Sequence, residues 1–166
     1  MVVKRWYIFI ILIVLFVTSL SAATIIGSED EYHYSYLNSS KLGETAWEYV
    51  TGEENRSSIS ENFSYSVSLT NSWSWSIDIS ILGKLGLGTK KSDVIKITRT
   101  YNISIPPYYG WYLYKKTTYT RYYYKYWIET INIYDDGKIE VTDRTEYKLF
   151  YKTIISETTK TELKGL

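Results

Sequence analysis

The chain has 166 residues, no cysteine, a single histidine, and 19 Lys and Arg against 18 Asp and Glu. So even a balance argues against nucleic acid as a partner, because that binding rests on many cation–phosphate contacts, and the lack of cysteine excludes a disulfide framework. With 19 tyrosines, six tryptophans and only two prolines, the composition favours pleated, half-buried surfaces.

Residues 1–23 have the layout of a secretory signal peptide. Lys4 and Arg5 precede an apolar run from Trp6 to Val17, and the small residues Thr18 to Ala23 follow. An uncleaved membrane anchor over residues 6–26 is the alternative, since about 20 apolar residues cross a bilayer. Either way the protein is expected to be secreted or held at the cell surface. Removal of the segment leaves about 143 residues, enough for one domain with a sizeable core, and takes the formal charge from +1 to −1 as Lys4 and Arg5 leave.

Residues 24–58 are polar and acidic and show no sustained period, so they read as a loosely structured arm with one short element near Ala46–Val50. A β domain is expected over 59–156. It opens with the longest pattern in the chain: from Phe63 to Ile81 the odd positions are apolar, broken only by Asn71, and Ser, Thr or Asp fill the even ones. Period two over that length means a strand with one apolar face. A straight strand of this length would run roughly 60 Å, against about 35–40 Å for a compact domain. The chain therefore bends or breaks at Thr70-Asn71-Ser72, or the domain is elongated.

Leu82–Asp93 supplies glycines and lysines for a turn, and Ile95–Ile105 returns with Ile95, Ile97, Tyr101, Ile103 and Ile105 on one face. Arg99 intrudes on that face, so the face is expected to reach water near its middle or to pair Arg99 with an acid such as Asp78. Pro106-Pro107 ends the strand, because proline supplies no ladder donor. An aromatic strand then starts at Trp111 and includes TTYTRYYYKYW, Thr117–Trp127.

Asp136-Gly137, in INIYDDGKIEV, marks a two-residue hairpin. In that register Tyr122, Tyr124 and Tyr126 face Tyr151, Leu149 and Tyr147 as core, Glu129 faces Arg144 and Trp127 faces Glu146, with Lys125 diagonal to Glu146. Residues 157–166 read as a polar, frayed tail. The fold class is all-β: a single antiparallel sheet or sandwich domain, elongated, after a signal peptide.

Catalytic chemistry finds little support. His33 is the only histidine, and no serine sits in a nucleophile elbow. Zinc needs more His or Cys ligands than exist here. Asp135, Asp136 and Glu140 read as a solvated hairpin tip rather than a calcium site. No catalytic residue, metal or cofactor is expected, and the protein reads as a non-enzyme. The contact residues expected are Trp73, Trp75, Trp111, Tyr123 and Trp127, with Arg121 and Lys125 orienting an anionic group through ring and cation contacts. Four Asn-X-Ser sequons, at Asn38, Asn55, Asn62 and Asn102, allow glycosylation.

Two Ser/Thr-alternating strands around a glycine-containing turn, then Ile-Pro-Pro and an aromatic strand, resemble the central part of aerolysin-type pore-forming proteins over residues 63–126. That resemblance implies a hairpin that leaves the soluble fold for a membrane barrel. The layout is also similar to small secreted β-rich proteins of Gram-positive bacteria. Three roles follow: a secreted domain binding cell-surface material, carbohydrate or its own copies through an aromatic and basic face; a pore former inserting residues 63–105; and an extracellular fibre subunit. Homo-oligomers and membranes are conceivable partners, nucleic acid is not.

Overall fold

The computed structural model describes residues 23–166; the signal peptide, or the alternative anchor, lies almost wholly outside them. The described chain is nearly all strand: β1 (Ile25–Glu44), β2 (Glu48–Asn55), β3 (Glu61–Trp75), β4 (Ser92–Ile105), β5 (Tyr109–Tyr134), β6 (Ile139–Arg144) and β7 (Lys148–Gly165). One short helix, α1 (Ile79–Lys84), interrupts them. The strands form a single antiparallel sheet in the order β1-β5-β7-β3-β4, with β2 and β6 also pairing β5. The 26-residue β5 is the organising strand.

The chain divides into two compact units. Among the described residues, the smaller comprises 23–31 together with 128–145. In it, the Asp135 amide donates to the Thr24 carbonyl at 3.0 Å, the Thr130 hydroxyl donates to Asp30 at 2.8 Å, and Arg144 pairs with Glu129 as expected. The hairpin tip is longer than expected. Ile133 faces Ile139, the Tyr134 amide donates to the Lys138 carbonyl, and the loop is Asp135-Asp136-Gly137, with Gly137 at φ 82°. A three-residue loop closed by a left-handed glycine is the next most favoured hairpin after the two-residue form.

The larger unit holds residues 32–127 and 146–166. β5 and β7 pair continuously from Tyr109↔Gly165 to Tyr126↔Lys148. The expected register is one residue out: Tyr124 faces Phe150 and Tyr123 faces Tyr151, so Leu149 and Tyr151 move to the opposite side. The tail is also strand to Gly165, not frayed, because the N-terminal half of β5 gives it backbone partners.

The polar arm is likewise strand. β1 and β2 both pair with β5. β1 is exposed along most of both faces, so nothing imposed an apolar alternation that a reader of the sequence could detect.

β3 and β4 pair from Glu61↔Ile105 to Ser74↔Ser92 in the register the alternation implies. Ser64, Ser66 and Ser68 are exposed, and Val67 and Leu69 are buried. Val67, Leu69 and Ile105 form one core cluster with Trp111 and Leu113 of β5, flanked by Val50, Phe63, Tyr65, Tyr101 and Ile103. Arg99 does not meet Asp78; the face reaches water there, with Ile95, Ile97 and Arg99 exposed, and the Arg99 guanidinium donates to Thr159 at 3.2 Å.

The long strand ends at Trp75 rather than Ile81. Ile79 and Ile81 lie in α1, which with the turn after it buries Leu82 and Leu85 while leaving Ile79 half exposed. β3 is joined to β7 only from Asn71↔Ser156 to Trp75↔Lys152. At that boundary side chains replace the ladder. The Thr70 amide donates to a Glu157 carboxylate oxygen at 2.6 Å, and the Glu157 amide donates to the Asn71 side-chain oxygen at 3.2 Å. Asn71, the one polar break in the apolar face, thus sits where β3 parts from β7, while β3 and its pairing with β4 run unbroken through Thr70-Asn71-Ser72, where a bend or break was one of the expected alternatives.

Candidate functional site

Side chains alternate sides along β5, and its odd-numbered face changes character along its length. At the N-terminal end, Trp111 and Leu113 are sealed in the core beneath β3 and β4. Lys115 follows, paired with Glu157 at 3.0 Å. Burial alone would raise the Glu157 carboxyl, but the Thr70 amide and the Lys115 ammonium together hold it below the usual carboxylate range.

Beyond this boundary the same face carries Tyr119, Arg121, Tyr123, Lys125 and Trp127, with Ile155, Thr153, Tyr151 and Leu149 opposite the first four. Arg121 lies over the Tyr151 ring at 4.1 Å and Lys125 over Tyr147 at 4.3 Å. Tyr123 meets Tyr151 edge-on at 6.3 Å. Trp127 stacks on His33 at 5.4 Å and meets Tyr147 edge-on. Leu149 is 76% exposed, Tyr147 54% and Tyr119 36%. Rows of rings and rows of cations alternate at about 6.6 Å along the strand, and no Asp or Glu stands among these positions.

The structure brings Arg121, Tyr123, Lys125 and Trp127 together on this face. Trp73 lies elsewhere, facing Ile154 with the Lys152 ammonium at 4.9 Å from its ring. Trp75 and Trp111 are 6% and 5% exposed. Trp75 packs on Tyr124 and Phe150, and Trp111 on Tyr101, so both are core side chains and not contact residues. The expected Lys125–Glu146 and Trp127–Glu146 contacts are replaced by ring contacts to Tyr147. Asn55 is fully buried, its amide nitrogen donating to the carbonyls of Ile59 and Ile105 at 2.6 and 2.9 Å, so its sequon is closed. Asn38, Asn62 and Asn102 are exposed.

The even-numbered face of β5 holds a second group of rings and charges. Tyr112, Tyr114 and Lys116 lie there beside Trp47, Tyr49, Lys160 and Lys164. The sequence reading missed it. The available signal was the alternation Thr158, Lys160, Glu162, Lys164 in the tail opposite Tyr112 and Tyr114. Among the described residues no three His, Asp or Glu side chains gather to hold a metal ion, and no helix is long and apolar enough to cross a membrane.

No family model matches the chain, and no curated protein matches it. Among solved structures it is similar to a lamprey immune protein, at 11% identity and TM-score 0.43, over 84% of this chain and 54% of that one. A candidate pore-forming toxin from Bacteroides vulgatus gives 8% identity and TM-score 0.47, over 81% of this chain and 57% of that one. The parasporin-2 toxin of Bacillus thuringiensis, which recognises cancer cells, gives 11% identity and TM-score 0.36, over 84% and 75%. The chain spans a little over half the length of the first two, and at these values the likeness is one of β architecture alone.

Proposed function

We propose that this chain is an exported, non-enzymatic β-domain that binds acidic glycan at cell surfaces through the odd-numbered face of β5 and β7. The observation that carries this reading is the open ladder from Tyr119 to Trp127, in which rings alternate with the cations Arg121 and Lys125. Flat rings suit the apolar faces of sugars, and guanidinium and ammonium groups suit carboxylate or sulfate substituents. A repeating surface matches a repeating polymer. The purified chain should bind acidic polysaccharide in a salt-sensitive manner and lose at least tenfold affinity in Arg121→Ala or Tyr123→Ala. Undiminished binding by both variants would overturn the assignment.

A second reading is favoured by a different observation: the β3–β4 hairpin is tied to β7 along only five facing pairs, Asn71 to Trp75. Its outer face is Ser, Thr and Asn apart from Lys96 and Val94, which face Thr70 and Ser72, and Ser64 is bonded to Asn102 and Ser66 to Thr100 across the strands. Its fourteen facing pairs span roughly 46 Å at about 3.3 Å each, more than the roughly 30 Å of a bilayer's hydrocarbon. In this reading the hairpin leaves β5 and enters membrane as part of a barrel. Dye release from liposomes, abolished when Ser72→Cys and Ile155→Cys are oxidised to pin β3 to β7, is the expected result. Intact liposomes at micromolar protein across pH and lipid composition would remove it.

A further inference from the structure

The even-numbered face at the N-terminal end of β5 is built around the Tyr112 ring, which lies over two glycines. Tyr112 faces Gly52 across the β2–β5 pair. A β-carbon at Gly52 would stand 2.7 Å from Tyr112 Cδ1 and 3.1 Å from the Tyr49 hydroxyl, and one at Gly110 would stand 2.5 Å from the Tyr112 hydroxyl. Two glycines therefore leave the space in which the Tyr112 ring lies. Tyr49, 59% exposed, meets Tyr114 edge-on at 6.1 Å.

Charges frame these rings. Lys116 and Lys160 stand 4.8 and 5.1 Å from the centre of Trp47, which is 37% exposed, and Lys160 lies at the same 5.1 Å from Tyr114. Lys164 approaches Tyr112 and Tyr114. Each cation shares a carboxylate: Glu44 accepts from Lys116 at 2.8 Å, and Glu162 accepts from Lys160 at 2.7 Å and from Lys164 at 2.6 Å. The Tyr112 hydroxyl donates to Glu54 at 3.2 Å. Lys41 also bonds Glu44, and Arg56 bonds Glu54, so every carboxylate beside the rings is already paired with a cation. Bonds from Lys116 and Lys41 hold the Glu44 carboxyl at about 2, and bonds from Lys160 and Lys164 do the same for Glu162. The platform therefore keeps both donors and ionised acceptors from weakly acid to neutral pH.

We infer that Trp47, Tyr49, Tyr112 and Tyr114, with Lys116, Lys160, Glu44 and Glu162 at their edges, form a binding platform for a neutral saccharide. The Tyr112 ring seated over Gly52 and Gly110, with the part-exposed rings of Trp47 and Tyr49 beside it, offers apolar surface to a pyranose, and paired ammonium and carboxylate groups match hydroxyls, which both donate and accept. A bare anion or cation would instead have to displace a partner already in place. The site lies on the side of β5 opposite the proposed acidic-glycan face, and it does not depend on that face.

The experiment is calorimetric titration of the full chain with cellohexaose, laminarihexaose and isomaltohexaose, at 0.15 and 0.5 M NaCl. At least one should bind with less than a twofold change between the salts. Trp47→Ala should weaken that binding tenfold or more, Lys160→Gln should weaken it severalfold, and Arg121→Ala with Tyr123→Ala should leave it unchanged. Near-UV circular dichroism confirms that each variant keeps its packing. Failure of all three oligosaccharides to bind, binding indifferent to Trp47→Ala, or binding lost only in the odd-face variants would overturn the inference.

Discussion

Replacing Glu157 with glutamine isolates the junction at which β3 parts from β7. The carboxylate accepts from the Thr70 amide at 2.6 Å and from Lys115 at 3.0 Å, and the Lys115 and Glu157 side chains are only 29% and 16% exposed. Glutamine offers one acceptor oxygen in place of two, so either the amide or the ammonium faces an NH2 group. Hydrogen bonds to charged groups contribute about 1.5–3 kcal/mol. Partial solvent access at Lys115 brings the expected loss to about 1–2 kcal/mol.

With a urea slope of about 1–3 kcal/mol per molar, the midpoint should fall by roughly 0.5–1 M. Amide exchange should quicken in Thr70–Trp75 more than in the β5–β7 ladder. The sign with pH follows from the lowered carboxyl. A folded value below the unfolded one, about 4.3, gives stability that is complete above the unfolded value and lost as pH falls through the folded one. The wild-type chain should therefore lose stability on acidification that the glutamine variant has already lost. Identical midpoints at pH 7, with unchanged exchange in β3, would refute the role given to this carboxylate.

Other consequences can be checked in the same way. Asn55→Ala should cost about 2–3 kcal/mol in urea unfolding, because it strands the buried carbonyl of Ile105 and frees the Ser57 amide. Gly137→Ala, at φ 82°, should cost about 1–2 kcal/mol in thermal unfolding, whereas Asp136→Ala should cost less. Carbon-detected NMR titration should find Glu44 and Glu162 still ionised at pH 3.5, titrating near 2; values near 4 would show that the lysine pairs do not hold them.

β3 was legible because one face is covered and the other is wet, so burial wrote an alternation into the sequence; β4 keeps the period although Ile95 and Ile97 stand about half exposed. Even the interruption at Asn71 had a structural meaning. β1 was not legible, since it is held by β5 while most of both faces remains exposed. The run Ile77, Ile79, Ile81 continues the period of two yet enters a helix, because Ile81 with Leu82 and Leu85 also fits a helical spacing, and Leu82 and Leu85 are buried.

Register failed for a similar local reason. Pairing slips past Thr142 between Thr130↔Asp143 and Ile131↔Val141, and one further residue is absorbed before Lys148, so each irregularity moves the returning strand by one position. The aromatic ladder was recognised by its spacing. That Trp111 is core while Tyr123 and Trp127 are not depended on which part of β5 the hairpin covers, and Trp75 is core because it packs on Tyr124 and Phe150; period two alone carries no such information.

The most direct test of the glycan-binding assignment is amide chemical-shift mapping of the isotopically labelled chain titrated with an acidic polysaccharide fragment, polygalacturonate of defined length. The account predicts the largest shifts at Tyr119, Arg121, Tyr123, Lys125 and Trp127 and at Tyr147–Thr153, reduced at 0.5 M salt. Saturating ligand with no shift along β5 and β7, or shifts confined to β3 and β4, would contradict it.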